Sequence, residues 1–240
     1  RKIFFSDKNT ILSSIRFKNK SLSNNLKLNI LKEQKEIKKI DKSIRLNKAS
    51  INSKEIKKDD IFFAIKGKKN DGNMFIPEAI KKGASIIVTD NIRGKINNKK
   101  IFRVKNTLDF MTKISSCIRS VYNGQIIGIT GSCGKTSLKD LLANCLNKVG
   151  KVSCSPKSYN NKYGVPLSLF NLNINYNFGV FEIGMDKKGE IDFLSSIVKP
   201  NIGIITNISY AHAKNFNNIS EIAKAKSEII NNIKRNGFLI

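Results

Sequence analysis

The run from Gln125 to Val149, QIIGITGSCGKTSLKDLLANCLNKV, constrains the fold more than any other part of the chain. A short apolar strand signal ends in a glycine-bearing turn, and a one-sided helical pattern starts at Lys135. Strand, tight turn and helix in this order aim the free backbone N–H groups of the helix start at one point, which suits phosphate oxygens. Gly131 and Gly134 allow the tight turn and close backbone approach, Lys135 offers a point charge to the β and γ phosphates, and the Thr136 hydroxyl can reach Mg²⁺. Thr130, Gly131, Ser132, Cys133, Gly134, Lys135, Thr136 and Ser137 are therefore the expected ATP cradle. The G-x-x-G-K-T spacing is shorter than the common G-x-x-x-x-G-K-[ST] form, and a chance glycine–lysine turn is the competing reading. The flanking strand and helix weigh against chance.

Strand and helix signals alternate through the rest of this half. KVSCS, FGVFEIG, NIGIITNI and the final GFLI read as strands, and NKYGVPLSLFNL, EIDFLSSIV and SEIAKAKSEIINNI read as helices, with Gly150 closing the helix before KVSCS. Upstream, IFFAIKG, SIIVTD and IFRV read as strands, FIPEAIKKGA and the segment 107–121 as helices, and Tyr122-Asn123-Gly124 as a boundary. Continuous Ile/Val/Phe strands separated by helices predict a mostly parallel sheet covered on both faces, with ligands at the carboxyl ends of the strands. The expected class is α/β, with a small N-terminal α/β domain at 51–123 and an incomplete P-loop-type central domain at 124–240. Residues 1–50 contain no glycine or proline to punctuate elements and stay unassigned.

Lys and Arg number 44 against 18 Asp and Glu, a formal charge of +26. Such an excess ordinarily points to nucleic acid or an anionic membrane surface. Here the lysines are dispersed and accompany an unusual load of Asn and Ile, the pattern of compositional drift. No nucleic-acid partner and no membrane insertion are expected; an anionic substrate is compatible with the field. Cys117, Cys133, Cys145 and Cys154 show no C-x-x-C pair, which fits a reducing cytoplasm. No apolar run nears the roughly 20 residues that span a bilayer. The first residue, Arg1, and a final GFLI that stops in mid-run read as a fragment.

The short T-G-x-x-G-K-[ST] loop resembles that of the Mur ligase family, whose relatives include folylpolyglutamate and cyanophycin synthetases. The family usually has Asn where this chain has Cys133, and ATP is expected to shield this thiol from alkylation. VFEIGMDKKGEI (180–191), PNIGIITNISYAHAKNF (200–216) and EIAKAKSEI (221–229) match the family in order and spacing. SYNNKYGVPLSLFNL (158–172) resembles the segment that separates the D-alanyl-D-alanine-adding members from sister ligases and folate-type ligases. The stretch from Asn52 to Asp90 resembles the uridine-nucleotide domain, with Asn52-Ser53-Lys54 in place of D-S-R and Asp71-Gly72-Asn73 in place of D-G-H.

The resemblance implies an ATP-dependent amide-bond ligase of peptidoglycan synthesis. In such an enzyme the γ-phosphoryl moves to the terminal carboxylate of UDP-N-acetylmuramoyl-tripeptide, and the amine of D-alanyl-D-alanine attacks the acyl phosphate. It makes Lys135 a catalytic cation and Thr136, Glu182 and His212 ligands of Mg²⁺. Lys226, once carbamylated, becomes an anionic ligand for a second Mg²⁺. Ser53, Asp71, Asn160, Asn161 and Asn207 become substrate-facing residues. Each also has a plainer reading: Glu182 capped or ion-paired, His212 a lone structural imidazole, Lys226 a solvated helix charge like Lys224, Asn160 and Asn161 helix caps, Asn207 a turn residue. The complete enzyme is expected to be a monomer closed by a third, C-terminal domain, and this chain alone to bind nucleotide weakly without ligating. A basic P-loop protein that binds nucleic acid is the non-enzymatic alternative.

Overall fold

Short buried strands, each followed by a one-sided helix, can pair in parallel only through crossover connections. The computed structural model describes residues 22–37, 40, 44–67, 70–91, 98–210 and 215–240. Among them, β1 (Ala49–Ser50), β2 (Ile61–Ala64), β3 (Ile86–Thr89) and β4 (Ile101–Arg103) form one parallel sheet in that order. A second parallel sheet contains β5 (Gln125–Thr130), β6 (Val152–Cys154), β7 (Phe178–Glu182), β8 (Ile202–Ile205) and β9 (Phe238–Leu239), in the order β6-β7-β5-β8-β9. The central β5 is flanked by β7 on one side and β8 on the other. Its carboxyl end is a switch point of the kind where open α/β sheets bind ligands.

The described helices are α1 (Leu22–Lys32), α2 (Ile76–Lys81), α3 (Thr107–Val121), α4 (Lys135–Leu146), α5 (Gly164–Phe170), α6 (Glu190–Val198) and α7 (Ile219–Ser227). Alternation along the strands sets the layers. Phe62, Ala64 and Ile87 pack with Ile76 and Ala79 of α2, whereas Ile61, Phe63, Ile86 and Val88 belong to the core that α1, α3 and α5 share. In the second sheet Ile127, Ile129 and Val180 pack on Leu138, Leu142 and Leu146 of α4, while Ile126 and Phe181 join the larger core. That larger core runs continuously from one sheet to the other.

Helix α3 occupies this shared core. Asn106 caps it by accepting from the Asp109 N–H at 2.9 Å, and Phe110, Met111, Ile114 and Ile118 lie buried along it. The Ser115 hydroxyl lies 2.7 Å from the carbonyl oxygens of both Met111 and Pro166, tying α3 to α5. Phe63 meets Phe170 edge-on with ring centroids 5.4 Å apart. Asn171 accepts from Ala49 N at 2.8 Å and donates to Ala49 O at 2.9 Å, satisfying the outer edge of β1.

Several sequence expectations shift at their ends. The unassigned stretch 1–50 contains α1 and β1. NKYGVPLSLFNL is helical only over Gly164–Phe170, because Asn161 Oδ1 first draws the N–H groups of Tyr163 and Gly164 into a turn. The last helical stretch splits into α7 and a 3-10 turn, Glu228–Asn232. Gly150 does not close α4 in a left-handed conformation; a side chain there would collide with Asn177 and Phe178. No helix among the described residues is long and apolar enough to cross a membrane.

Lys27 of α1 is 5% exposed and lies 5.7 Å from the Phe170 ring centroid. Burial, with Lys48 nearby, lowers its amine to about 8. The unfolded chain holds this proton up to about 10.5, so the folded state gains relative stability as pH rises from about 8 towards that value. Lys27→Met is expected to raise the unfolding free energy at pH 7 by up to about 3 kcal/mol and to flatten the rise in stability above pH 8. Urea melts at pH 7 and pH 10 check this, and an unchanged slope would refute it.

Candidate functional site

The carboxyl ends of β5, β7 and β8 converge on the loop from Gly131 to Gly134. Gly131 (φ 145°) and Gly134 (φ 78°) adopt conformations that L side chains avoid. Gly131 lies against Thr206, whose hydroxyl a Cβ would overlap, whereas a Cβ on Gly134, the N-cap of α4, would meet none of the described residues within 4 Å. The loop is stitched to the end of β8. Ser132 N donates to Asn207 O at 3.0 Å, Cys133 N to Asn207 Oδ1 at 3.0 Å, and Thr206 Oγ1 to Cys133 O at 2.6 Å. The Asn207 amide also donates to Cys133 Sγ at 2.9 Å, and Ser132 and Ser209 share two further bonds. Lys135 Nζ turns back on the carbonyl oxygens of Gly131 (2.7 Å) and Ser132 (3.3 Å). Thr130 is fully buried, its hydroxyl without a hydrogen-bond partner among the described residues, and Ser137 is exposed.

Glu182 ends β7 at 1% exposure, and the parallel register sets it beside Ile129. Its Oε2 accepts from Thr136 Oγ1 at 2.7 Å and its Oε1 from Asn160 Nδ2 at 2.7 Å, while its N–H donates to Ser155 Oγ at 3.2 Å. Among the described residues no cationic side chain forms an ion pair with it. The two adjacent asparagines thus diverge: Asn160 serves the carboxylate, and Asn161 the turn before α5.

On α7, Lys224 is exposed and Lys226 is 1% exposed. Burial, reinforced by the Lys135 charge, lowers the Lys226 amine to about 8. His212 lies outside the described residues. Ser53 is buried and donates to Glu78 Oε2 at 2.6 Å; Asp71 accepts from the Asn73 N–H at 2.9 Å and from its amide at 2.8 Å. Both follow strands of the first sheet at its carboxyl edge. Lys157 Nζ, 3.8 Å from Glu55 Oε1, brings that edge beside the loop carrying Asn160.

Sequence reasoning missed Ser155, Ser158, Thr206, Lys139 and Glu228. The two serines flank Pro156 in a stretch rich in turn formers, which was a usable signal. Lys139 looked like any other helix lysine, yet it is 1% exposed and donates to Lys157 O at 2.6 Å. Glu228 accepts from the N–H groups of Gly189 (2.8 and 3.0 Å) and Asp192 (3.2 Å), fastening the start of α6 to the segment after Lys226. No local pattern announces that contact.

Gly134→Ala is expected to lose about 1–2 kcal/mol of stability, the cost of a left-handed alanine. Gly131→Ala should lose more, because collision with Thr206 adds to the strain. Parallel urea melts decide this; equal losses would show that Thr206 does not set the cost.

Comparison with known proteins follows the same outline. The Mur ligase middle domain matches residues 129–240, and the catalytic domain of the Mur ligase family matches residues 46–116. The UDP-N-acetylmuramoyl-tripeptide--D-alanyl-D-alanine ligase of Rickettsia prowazekii is 38% identical over 84% of this chain and 44% of its own length. The ligase of the same name from Bacillus subtilis is 32% identical over 78% of this chain and 41% of its own. The crystal structure of MurF ligase from Thermotoga maritima in complex with ADP superposes with a TM-score of 0.70 at 34% identity, over 80% of this chain and 45% of that one. A MurF structure from Acinetobacter baumannii gives a TM-score of 0.76 at 26% identity, over 90% of this chain and 47% of that one. The chain thus spans under half the length of the relatives it matches. Two family segments in chain order cover most of its residues, and the resemblance extends from sequence to fold: this chain belongs to the Mur ligase family.

Proposed function

We propose that this chain supplies the uridine-nucleotide and ATP domains of a UDP-N-acetylmuramoyl-tripeptide--D-alanyl-D-alanine ligase, with residues 51–123 holding the uridine nucleotide and 124–240 the ATP. The observation that carries this reading is the hydrogen-bonded row Thr136–Glu182–Asn160 at the mouth of the glycine loop. The names of the relatives support the substrates, and the ADP of the Thermotoga maritima structure supports a nucleotide at the loop.

The residues present fit Mg²⁺. A carboxylate buried on neutral donors alone is costly, and Mg²⁺ favours oxygen ligands from one or two carboxylates together with substrate phosphates. Among the described residues no group of three His, Cys, Asp or Glu could hold a metal unaided, so phosphate oxygens fit the remaining ligand positions. Thr136 and Glu182 would hold the ion, with His212 following β8. Bound there, it would neutralise charge developing on the transferring phosphoryl group.

Lys135 exchanges the loop carbonyls for the β and γ phosphates, and the N–H groups at the start of α4 bind the same oxygens, those of Ser132 and Cys133 staying on Asn207. Asn160 orients Glu182, and Asn207 keeps the Cys133 N–H in place. The tripeptide carboxylate attacks the γ-phosphorus and ADP leaves. The D-alanyl-D-alanine amine then adds to the acyl carbon, phosphate departs, and a proton is released to water. Lys226, lowered to about 8, has a neutral fraction near that pH. Its lone pair can add to carbon dioxide with loss of one proton, giving a carbamate whose oxygens suit a second Mg²⁺.

Phosphate release by the gene product that carries this chain is expected to require both UDP-N-acetylmuramoyl-tripeptide and D-alanyl-D-alanine. Release that ignores the dipeptide would sink the assignment. Glu182→Gln is expected to leave the melting midpoint unchanged or higher while weakening Mg²⁺-dependent ATP binding at least about tenfold; calorimetric titration with and without Mg²⁺ reads it. Native mass spectrometry at high bicarbonate should add one carbon dioxide to the wild type and none to Lys226→Met. A bare wild-type lysine under those conditions would remove the second metal ligand.

A further inference from the structure

We propose that Ser158 is a third protein oxygen of the cation site and that the buried Lys139 sets its position. The proposal rests on the reading of Thr136 and Glu182 as cation ligands. Ser158 Oγ lies 3.2 Å from Thr136 Oγ1, which lies 2.7 Å from Glu182 Oε2. Neighbouring oxygens around an octahedral ion with bonds of about 2.0–2.1 Å are about 2.9 Å apart. The two measured spacings bracket that edge, so the three oxygens are set as successive neighbours of one small, hard cation. The Thr136 proton is committed to Glu182, which leaves Ser158 to donate to Thr136. A hydroxyl that donates its one proton still has two lone pairs, and Ser158 is exposed.

The backbone around Ser158 is held in place. Tyr159 N donates to Pro156 O at 3.2 Å and Asn160 N to Ser158 O at 2.8 Å, so the stretch that brings Ser158 to Thr136 also brings Asn160 to Glu182. Lys157, the preceding residue, has a φ of 50°, a left-handed conformation that a non-glycine residue keeps only when its surroundings enforce it. The enforcing contact is Lys139, whose Nζ donates to Lys157 O at 2.6 Å from a position 1% exposed, with Asp140 at 3.3 Å. An ammonium taken out of water to hold one carbonyl makes sense where the next residue needs a fixed place.

Mn²⁺ binding to this chain in the presence of ADP, followed by electron paramagnetic resonance, tests the assignment. ADP affinity in EDTA is measured alongside. Ser158→Ala is expected to lower Mn²⁺ affinity about tenfold. Lys139→Met is expected to produce a smaller loss that Lys139→Arg partly restores. A Ser158→Ala affinity within about twofold of wild type, while Glu182→Gln loses the ion, would overturn the proposal and leave the proposed function standing. An equal loss of ADP affinity in EDTA would also overturn it, since the loop and not a ligand would then be at fault. Failure of the wild type to couple Mn²⁺ to ADP would overturn both readings together.

Discussion

The hydrogen bond from Thr136 to Glu182 is the constraint on which the site depends. It joins residues 46 apart in sequence and forms only because β5 and β7 pair in parallel with Ile129 opposite Glu182. A slip of one residue would turn Glu182 to the other face of the sheet. The same register sends Val180 towards α4 and Phe181 into the larger core, so the apolar packing and the carboxylate position are a single decision.

The loop opposite Glu182 is held just as tightly from the other flank. Thr206 and Asn207 leave the end of β8 and take up the polar groups of Ser132 and Cys133, which would otherwise compete with a ligand for the loop's shape. Farther out, the core shared through α3 and α5 joins the first sheet to the second, and the Asn171–Ala49 pair seals their junction. On the proposed reading, this continuity is what brings a uridine nucleotide and ATP to one place.

Much of this was legible in the residues. Segment 107–121 is legible because its apolar spacing and the turn that follows are local signals, and β5, β7 and α6 are legible as continuous apolar or one-sided runs. The stretch before Asn52 was not legible: β1 is two residues long and owes its place to pairing with β2 and to Asn171, 122 residues away. The lysines show the same divide. Composition presents Lys27, Lys139 and Lys226 as members of one dispersed excess, from which only the family resemblance picks out Lys226, yet all three are buried, one over a ring, one on a carbonyl and one near the Lys135 charge.

Periodicity and short motifs are enough to set the parallel α/β class, the glycine loop and the family, since each signal is contained within a few residues. Which neighbouring side chain is buried or bonded depends on the folded chain. It is the fold that brings Asn160 and not Asn161 to Glu182, withdraws Lys226 and not Lys224 from water, and stands Ser158 beside Thr136. The physical reason is range. Backbone propensity and capping act over three or four residues, whereas desolvation and side-chain hydrogen bonding depend on what distant strands bring near.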